Sequence, residues 1–272
     1  REVTGDLVIV TDFMTSIPYF TKLVKCNSIT IYLNNSLNSQ IMMIGHNHFP
    51  KLSNVQKFIT IRDLEKCTTI GGFKSLLNVG SFYAPISNPP NSPLPLTYLS
   101  TSINNYTTYI DHNDNLTYNS NCIQITNNGN GGSGLSSMEG FNSLLVSNGH
   151  IDISGNLFNP TNNNNFIFGF NSLNHCQGFI IGNSLSPNLN LNQIICANSL
   201  KTASTILIND SIVPMLYRIR SFKELEFVNT NISIGRTNPS SKLVILEGFR
   251  NLKAVDDVYI TANKGSSIPA MG

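Results

Sequence analysis

The chain has 272 residues, of which 40% are hydrophobic and only 12% charged, with a formal net charge of +2. That charged share is about half the usual one, so the electrostatic footprint of a nucleic-acid-binding protein is not expected. No apolar run approaches the ~18 residues of a membrane-spanning helix, and polarity is carried by uncharged side chains, with 39 asparagines and no tryptophan.

Arg1-Glu2-Val3-Thr4-Gly5 is polar, without a secretory-signal pattern or a starting methionine, so a processed or trimmed chain is expected, with an anchor or further domain conceivable beyond Gly272. Leu7-Val-Ile-Val10 reads as a first strand. A unit then recurs, in which Phe is followed three places later by Leu and, 11 or 12 residues after the Phe, by the central Ile of a short β-like run. Phe20-Thr-Lys-Leu23 leads to Ile29-Thr-Ile31, and Phe49-Pro-Lys-Leu52 to Phe58-Ile-Thr-Ile61. Phe73-Lys-Ser-Leu76 opens the next unit.

The rhythm then breaks over about 84–135. Pro85, Pro89, Pro90, Pro93 and Pro95 exclude helix or a central strand there. Tyr98, Tyr106, Tyr109 and Tyr118 follow, with Leu96-Thr-Tyr-Leu99 as one more possible motif, and Asn127–Gly134 is a Gly/Asn loop. This stretch is either a tolerated insertion or a specialised surface whose tyrosines contact a sugar or a protein. Within it, Cys122-Ile-Gln-Ile125 fits a further strand.

The unit resumes with Phe141-Asn-Ser-Leu144 before Ile151-Asp-Ile153, then Phe170-Asn-Ser-Leu173 before Phe179-Ile-Ile181. Ala197-Asn-Ser-Leu200 is a degenerate member before Ile206-Leu-Ile208. Phe222-Lys-Glu-Leu225 precedes Ile232-Ser-Ile234, and Phe249-Arg-Asn-Leu252 precedes Val258-Tyr-Ile260. Units of 24–29 residues with one short strand cannot bury a core alone. Stacked units can, which predicts a solenoid with the strands in register as a parallel sheet and the Phe and Leu pointing inward from the opposite wall. Asn34, Asn156, Asn183, Asn209 and Asn263 follow strands. Each is expected to bond turn and neighbouring-coil backbone, with Gly155, Gly182 and Gly235 in the tight turns.

The pattern resembles the receptor L-domain family, a relative of leucine-rich repeats. Glu139-Gly-Phe-Asn-Ser-Leu144 with Ile151-Asp-Ile-Ser-Gly-Asn156, and Glu247-Gly-Phe-Arg-Asn-Leu252 with Val258-Tyr-Ile-Thr-Ala-Asn263, carry the likeness. Gly72-Phe-Lys-Ser-Leu76 matches its first half. The resemblance implies a mainly β, right-handed, leucine-rich-repeat-like solenoid with about ten short parallel strands, one domain over 1–272. It also implies an extracellular or cell-surface, non-enzymatic protein that acts in recognition or adhesion. The Cys-rich modules that accompany such domains in growth-factor receptors are not in this chain. The alternative reading is a structural glycoprotein subunit of a wall, sheath or filament, assembled through solenoid ends or edges. Expected partners are a protein, a glycan or copies of the chain itself.

The remaining motifs carry little chemistry. Cys26, Cys67, Cys122, Cys176 and Cys196 are odd in number and lack a CxxC. Two disulfides with one free thiol, or five buried thiols, both fit. Five sequons mark Asn34, Asn105, Asn115, Asn209 and Asn231 as glycosylation acceptors. His46-Asn47-His48 has the spacing of two metal ligands but no third, and reads as a solvated turn. Asp111-His-Asn-Asp-Asn115 lacks the Gly and distal Glu of a calcium loop. Asp210, Glu224, Glu226, Asp256 and Asp257 form no evident acid pair. With no P-loop, dinucleotide fingerprint or G-x-S-x-G, no cofactor, metal or catalytic residue is expected.

Overall fold

The structure is a computed structural model. It describes residues 1–33, 40–80, 121–126, 128–129, 134–159, 165–182, 190–209, 216–235, 243 and 245–260. Its strands are β1 Asp6–Val10, β2 Lys25–Cys26, β3 Ser28–Tyr32, β4 Met43–Ile44, β5 Asn54–Val55, β6 Ile59–Arg62 and β7 Thr69–Ile70. Next come β8 Asn78–Val79, β9 Asn121–Thr126, β10 Ser137–Met138, β11 Val146–Ser154, β12 Phe166–Gly169 and β13 His175–Ile181. The last are β14 Gln193–Cys196, β15 Thr202–Asn209, β16 Arg218–Arg220, β17 Phe227–Gly235, β18 Ile245–Glu247 and β19 Ala254–Ile260.

Every pairing among these strands is parallel, and they form a right-handed β-solenoid with two walls. The larger sheet runs β1-β3-β6-β9-β11-β13-β15-β17-β19, with β2, β5 and β8 paired alongside. Its main path has nine strands, close to the ten expected. All nine contain an Ile-x-Ile-type run read from the sequence, Cys122–Ile125 included. Two buried apolar columns run down it. One joins Ile29, Ile59, Ile123, Ile151, Phe179, Ile206 and Ile232; the other joins Ile31, Ile61, Ile125, Ile153, Ile181, Ile208 and Ile234. Each fully buried Ile is worth about 1.5–3 kcal/mol of apolar transfer.

The second wall is a seven-stranded sheet in the order β18-β16-β14-β12-β10-β7-β4. The one-strand-per-unit reading did not contain it. Its strands share one inward column, Ile44, Ile70, Met138, Ile167, Ile194, Ile219 and Leu246, all buried, and β14 adds the buried Cys196.

The Phe-x-x-Leu motif is the corner between the two walls, rather than part of an opposite wall. In all eight copies, Ala197 included, the Leu N–H donates to the carbonyl of the residue three before it, at 3.1–3.3 Å. The spacing of three is therefore a hydrogen-bonded turn. The ring fills the corner and stacks on its neighbours. Centroids are 5.2 Å apart for Phe20–Phe49, 5.1 Å for Phe49–Phe73, 4.9 Å for Phe73–Phe141 and 5.0 Å for Phe141–Phe170. The stack would end at Ala197. There Phe179, which stands in the larger sheet where other coils have Ile, swings its ring edge-on to Phe170 at 5.4 Å and to Phe222 at 5.6 Å. One large-to-small change is thus filled by a small-to-large change in the same layer.

Glycine before the Phe lets corners approach. A Cβ on Gly169 would lie 2.4 Å from the Gly140 carbonyl oxygen, and one on Gly248 would lie 2.2 Å from that of Ser221. The asparagine expectation holds for Asn156, which is buried. Its Nδ2 donates to the Ile125 and Ser154 carbonyls at 2.9 and 3.2 Å, and its Oδ1 accepts from the Asn128 amide N–H at 3.1 Å. Asn128 repeats the role one coil back, donating to Ile61 O and accepting from Leu64 N–H. Asn34, Asn183 and Asn263 lie outside the described residues, as does the side chain of Asn209. All five cysteines are buried free thiols. Burial pushes Cys26 up to about 11 and Cys67, Cys122 and Cys196 up to about 12, so they are packing residues with little thiolate at neutral pH. Cys26 and Cys176 stand in one column with Val55, Val79 and Ala203.

Candidate functional site

One coil departs from the corner spacing. From the inward residue of the smaller sheet to the motif position is three residues in Ile70–Phe73, Met138–Phe141, Ile167–Phe170, Ile194–Ala197, Ile219–Phe222 and Leu246–Phe249. From Ile44 to Phe49 it is five. The two extra residues bulge as an exposed turn at His46-Asn47, while His48 returns to the buried corner.

The bulge stands over a hollow in the outer face of the smaller sheet. The sheet register carries one outward column through Gly45, Gly71, Glu139, Phe168, Ile195 and Arg220. Two successive members of that column have no side chain, which leaves room for the His46 ring to pack over Gly71, where a Cβ would lie 3.3 Å from its Cε1, and for Met43 and His48 to flank Gly45. Glu139 closes one side, and Tyr19 and the histidine turn close the other. The resulting cavity, about 270 Å³, is further lined by Met43 and Thr69. It is smaller than drug-sized pockets, which begin near 300 Å³.

Its walls are held by specific contacts. The His46 Nδ1 lies 2.7 Å from the Gly71 carbonyl oxygen. Because a carbonyl can only accept, the hydrogen is on Nδ1 and Nε2 is left as an acceptor in the neutral ring. The His48 Nδ1 sits 2.9 Å from both the amide nitrogen and the carbonyl oxygen of Gly45, which tightens the turn. The His48 ring supports Tyr19 from beneath, with centroids 4.9 Å apart and planes at 18°, while Tyr19 remains 65% exposed. The site thus brings together an exposed aromatic ring, a carboxylate, an imidazole, an amide and a hydroxyl.

Of the residues singled out from sequence, only the His46-Asn47-His48 turn belongs here. Tyr19, Met43, Gly45, Thr69, Gly71 and Glu139 were missed. The Ile44–Phe49 spacing could have flagged the bulge, but the paired glycines need the register. Tyr98, Tyr106, Tyr109 and Tyr118 lie outside the described residues, as do Asn34, Asn105, Asn115, the Asp111–Asn115 stretch and Asp210. Asn231 is half-buried at the bulge of β17, in register with Thr205 and Asp257. Among the described residues, no helix is long and apolar enough to cross a membrane, and no three His, Cys, Asp or Glu side chains group as metal ligands.

No family model, curated protein or solved structure matches the chain.

Proposed function

We propose that the chain is a non-enzymatic recognition module of an extracellular or cell surface, built on a receptor-L-domain-like solenoid. The observation that carries this reading is the single break in the corner spacing among the described coils. A stack of near-identical coils is a rigid scaffold, and departures from such a local rule concentrate where function requires them. Here the departure carries His46 and Asn47 to a hollow that Tyr19 and Glu139 of neighbouring coils also line. Glu139 is the only carboxylate among the described residues of that hollow. Glycoside cleavage uses a pair of them, which favours binding over chemistry. The sequons and the Gly-Phe-x-x-Leu motif support the extracellular setting.

Charge weighs against the alternative, a filament continued end to end. If β1 of a second copy paired with β19 in the register of the other coils, Asp6 would face Asp257. The Asp6 carboxyl is held below its ordinary range by the Ser28 hydroxyl, which donates to it at 2.6 Å, so it stays ionised. Like charges directly opposite one another in a sheet are destabilising, and charged edges are a usual protection against pairing. Electron microscopy of native material, with intact mass before and after glycan removal, tests the reading. Discrete particles carrying glycan mass are expected. Filaments or sheets would overturn the recognition role, and a bare polypeptide mass would overturn the glycoprotein setting.

A further inference from the structure

The chemistry of the hollow selects among ligand classes. We propose that it binds one pyranose unit of a neutral glycan, stacked on Tyr19 and held through its hydroxyls by Glu139, His46 and Asn47. The inference deepens the recognition reading and rests on it. A pyranose has a C–H face that packs on an aromatic ring and a rim of hydroxyls that both donate and accept. Tyr19 supplies the platform, pre-set by the His48 ring beneath it and 65% exposed. The rim finds a carboxylate acceptor on Glu139, an acceptor at the His46 Nε2, and an amide that can do both on Asn47. A cavity of about 270 Å³ takes one ring of a glycan whose remaining units lie in solvent.

Other classes fit less well. No Lys or Arg is among the described lining residues, so phosphate, sulfate or a uronic acid would meet Glu139 without a counter-charge. Quaternary ammonium groups are held by cages of several aromatic rings, and Tyr19 is the one phenyl-type ring among the described lining residues. Two histidines and one carboxylate could suggest zinc, but these side chains do not group as metal ligands.

The test uses the full chain on an array of immobilised neutral glycans covering gluco-, galacto-, manno- and N-acetylhexosamine pyranosides. Calorimetry with the soluble form of any hit follows. The expected result is binding that weakens by about ten-fold or more in Tyr19→Ala and in Glu139→Gln, survives in Tyr19→Phe, and is unaccompanied by a change in Tm. The retained phenyl ring of Tyr19→Phe guards against a merely structural loss. Absence of binding to any neutral pyranose by the unaltered chain would overturn the ligand assignment. Binding that persists in both Tyr19→Ala and Glu139→Gln would overturn the site while leaving the recognition reading intact. That reading fails separately, on filaments under the microscope.

Discussion

From β11 onward, each rung of the larger sheet is one continuous strand of seven to nine residues. Between β1 and β11 each rung is split, into β2 and β3, β5 and β6, and β8 and β9. The split falls where the later strands bulge, as between Ser147 and His150 or Val228 and Asn231. A bulge is thus the point at which a rung can open without loss of register. The interval grows from one residue, Asn27, to three, 56–58, and then to the forty-one of 80–120. Those residues enter at Gly80, whose φ of 94° and 2.9 Å clearance to Asn148 Cβ and Cys122 Sγ suit only glycine. The corners differ as well. Phe141, Phe170, Ala197, Phe222 and Phe249 take left-handed φ of 51–66°, a conformation unfavourable for L-residues by about 1–2 kcal/mol. Their rings are nevertheless held there by the stack. Phe20, Phe49 and Phe73 avoid that region. The hollow lies in the split, less repetitive half.

The largest effect should come from opening the stack in the regular half. Phe170 is 1% exposed, with Phe141 on one face and the Phe179 edge on the other. Phe170→Ala should cost about 3–5 kcal/mol in a urea titration, the range for truncating a buried aromatic. A near-neutral result would mean that the corner collapses around the gap and the stack is not what fixes the register.

Acid should act on the same half through two buried imidazoles. His175 in β13, its Nδ1 2.7 Å from the Thr202 hydroxyl oxygen, is pushed down by burial from 6.5 to about 4, and burial also lowers His150 in β11. Unfolded chains take up these protons near pH 6.5, whereas folded ones do so only near pH 4 for His175. Stability is therefore complete above about 6.5 and falls as pH drops through that window, by about 3 kcal/mol for His175. Asp152 opposes part of this. Burial raises its carboxyl, so the folded chain keeps that proton to higher pH than the unfolded one and gains stability on acidification. Urea midpoints between pH 7.5 and 4.5 should decline in the parent and much less in His175→Gln; parallel slopes would remove His175 as the cause.

A medium effect tests the exchange between layers. Ala197→Phe restores the missing ring of the stack but drives it into the space that Phe179 occupies, and should destabilise by about 1–3 kcal/mol. Adding Phe179→Ile makes that coil like the others and should recover most of the loss. The two changes in one chain should be far from additive. Additive effects would mean that the rings do not share a site.

This pair also marks the boundary of what the sequence discloses. The nine Ile-x-Ile runs are legible because each alternates and recurs at nearly constant distance from a Phe, and parallel stacking follows since one short strand cannot bury itself. The smaller sheet is not legible in the same way. Its strands are often two residues long, and most add a single residue to the inward column, so little alternation develops. Its trace is an apolar residue, most often Ile, three places before most of the motif positions, which looks like composition until the sheet is known. Phe179 reads as a conservative variant of Ile until the structure sets its ring between Phe170 and Phe222, the corner residues on either side of Ala197. The hollow is half-legible. Its bulge is a count of residues along the chain, but Gly45 and Gly71 become neighbours only when rungs 26 residues apart are laid side by side.

The smallest expected effect on stability is therefore the sharpest test of the comparison. Replacing Gly45-His-Asn-His48 by Gly-Gly gives the irregular coil the Ile-Gly-Gly-Phe corner that Ile70–Phe73 already has. His46 and Asn47 are exposed, where changes stay within about 0.5 kcal/mol; His48 is buried, but its Nδ1 bonds Gly45 inside the turn that is removed, and the shorter corner is one that the Ile70–Phe73 coil already packs. The Gly71 carbonyl loses His46 but becomes open to water, and Tyr19 loses the ring beneath it without losing any buried contact in the Phe stack. Urea midpoints should match the parent, while glycan binding should disappear. Loss of stability of several kcal/mol would show that the bulge is a structural clamp on the first coils. Retained binding at unchanged stability would separate the break in the repeat from recognition. Only stability kept with binding lost fits a scaffold that sets aside one corner for a ligand.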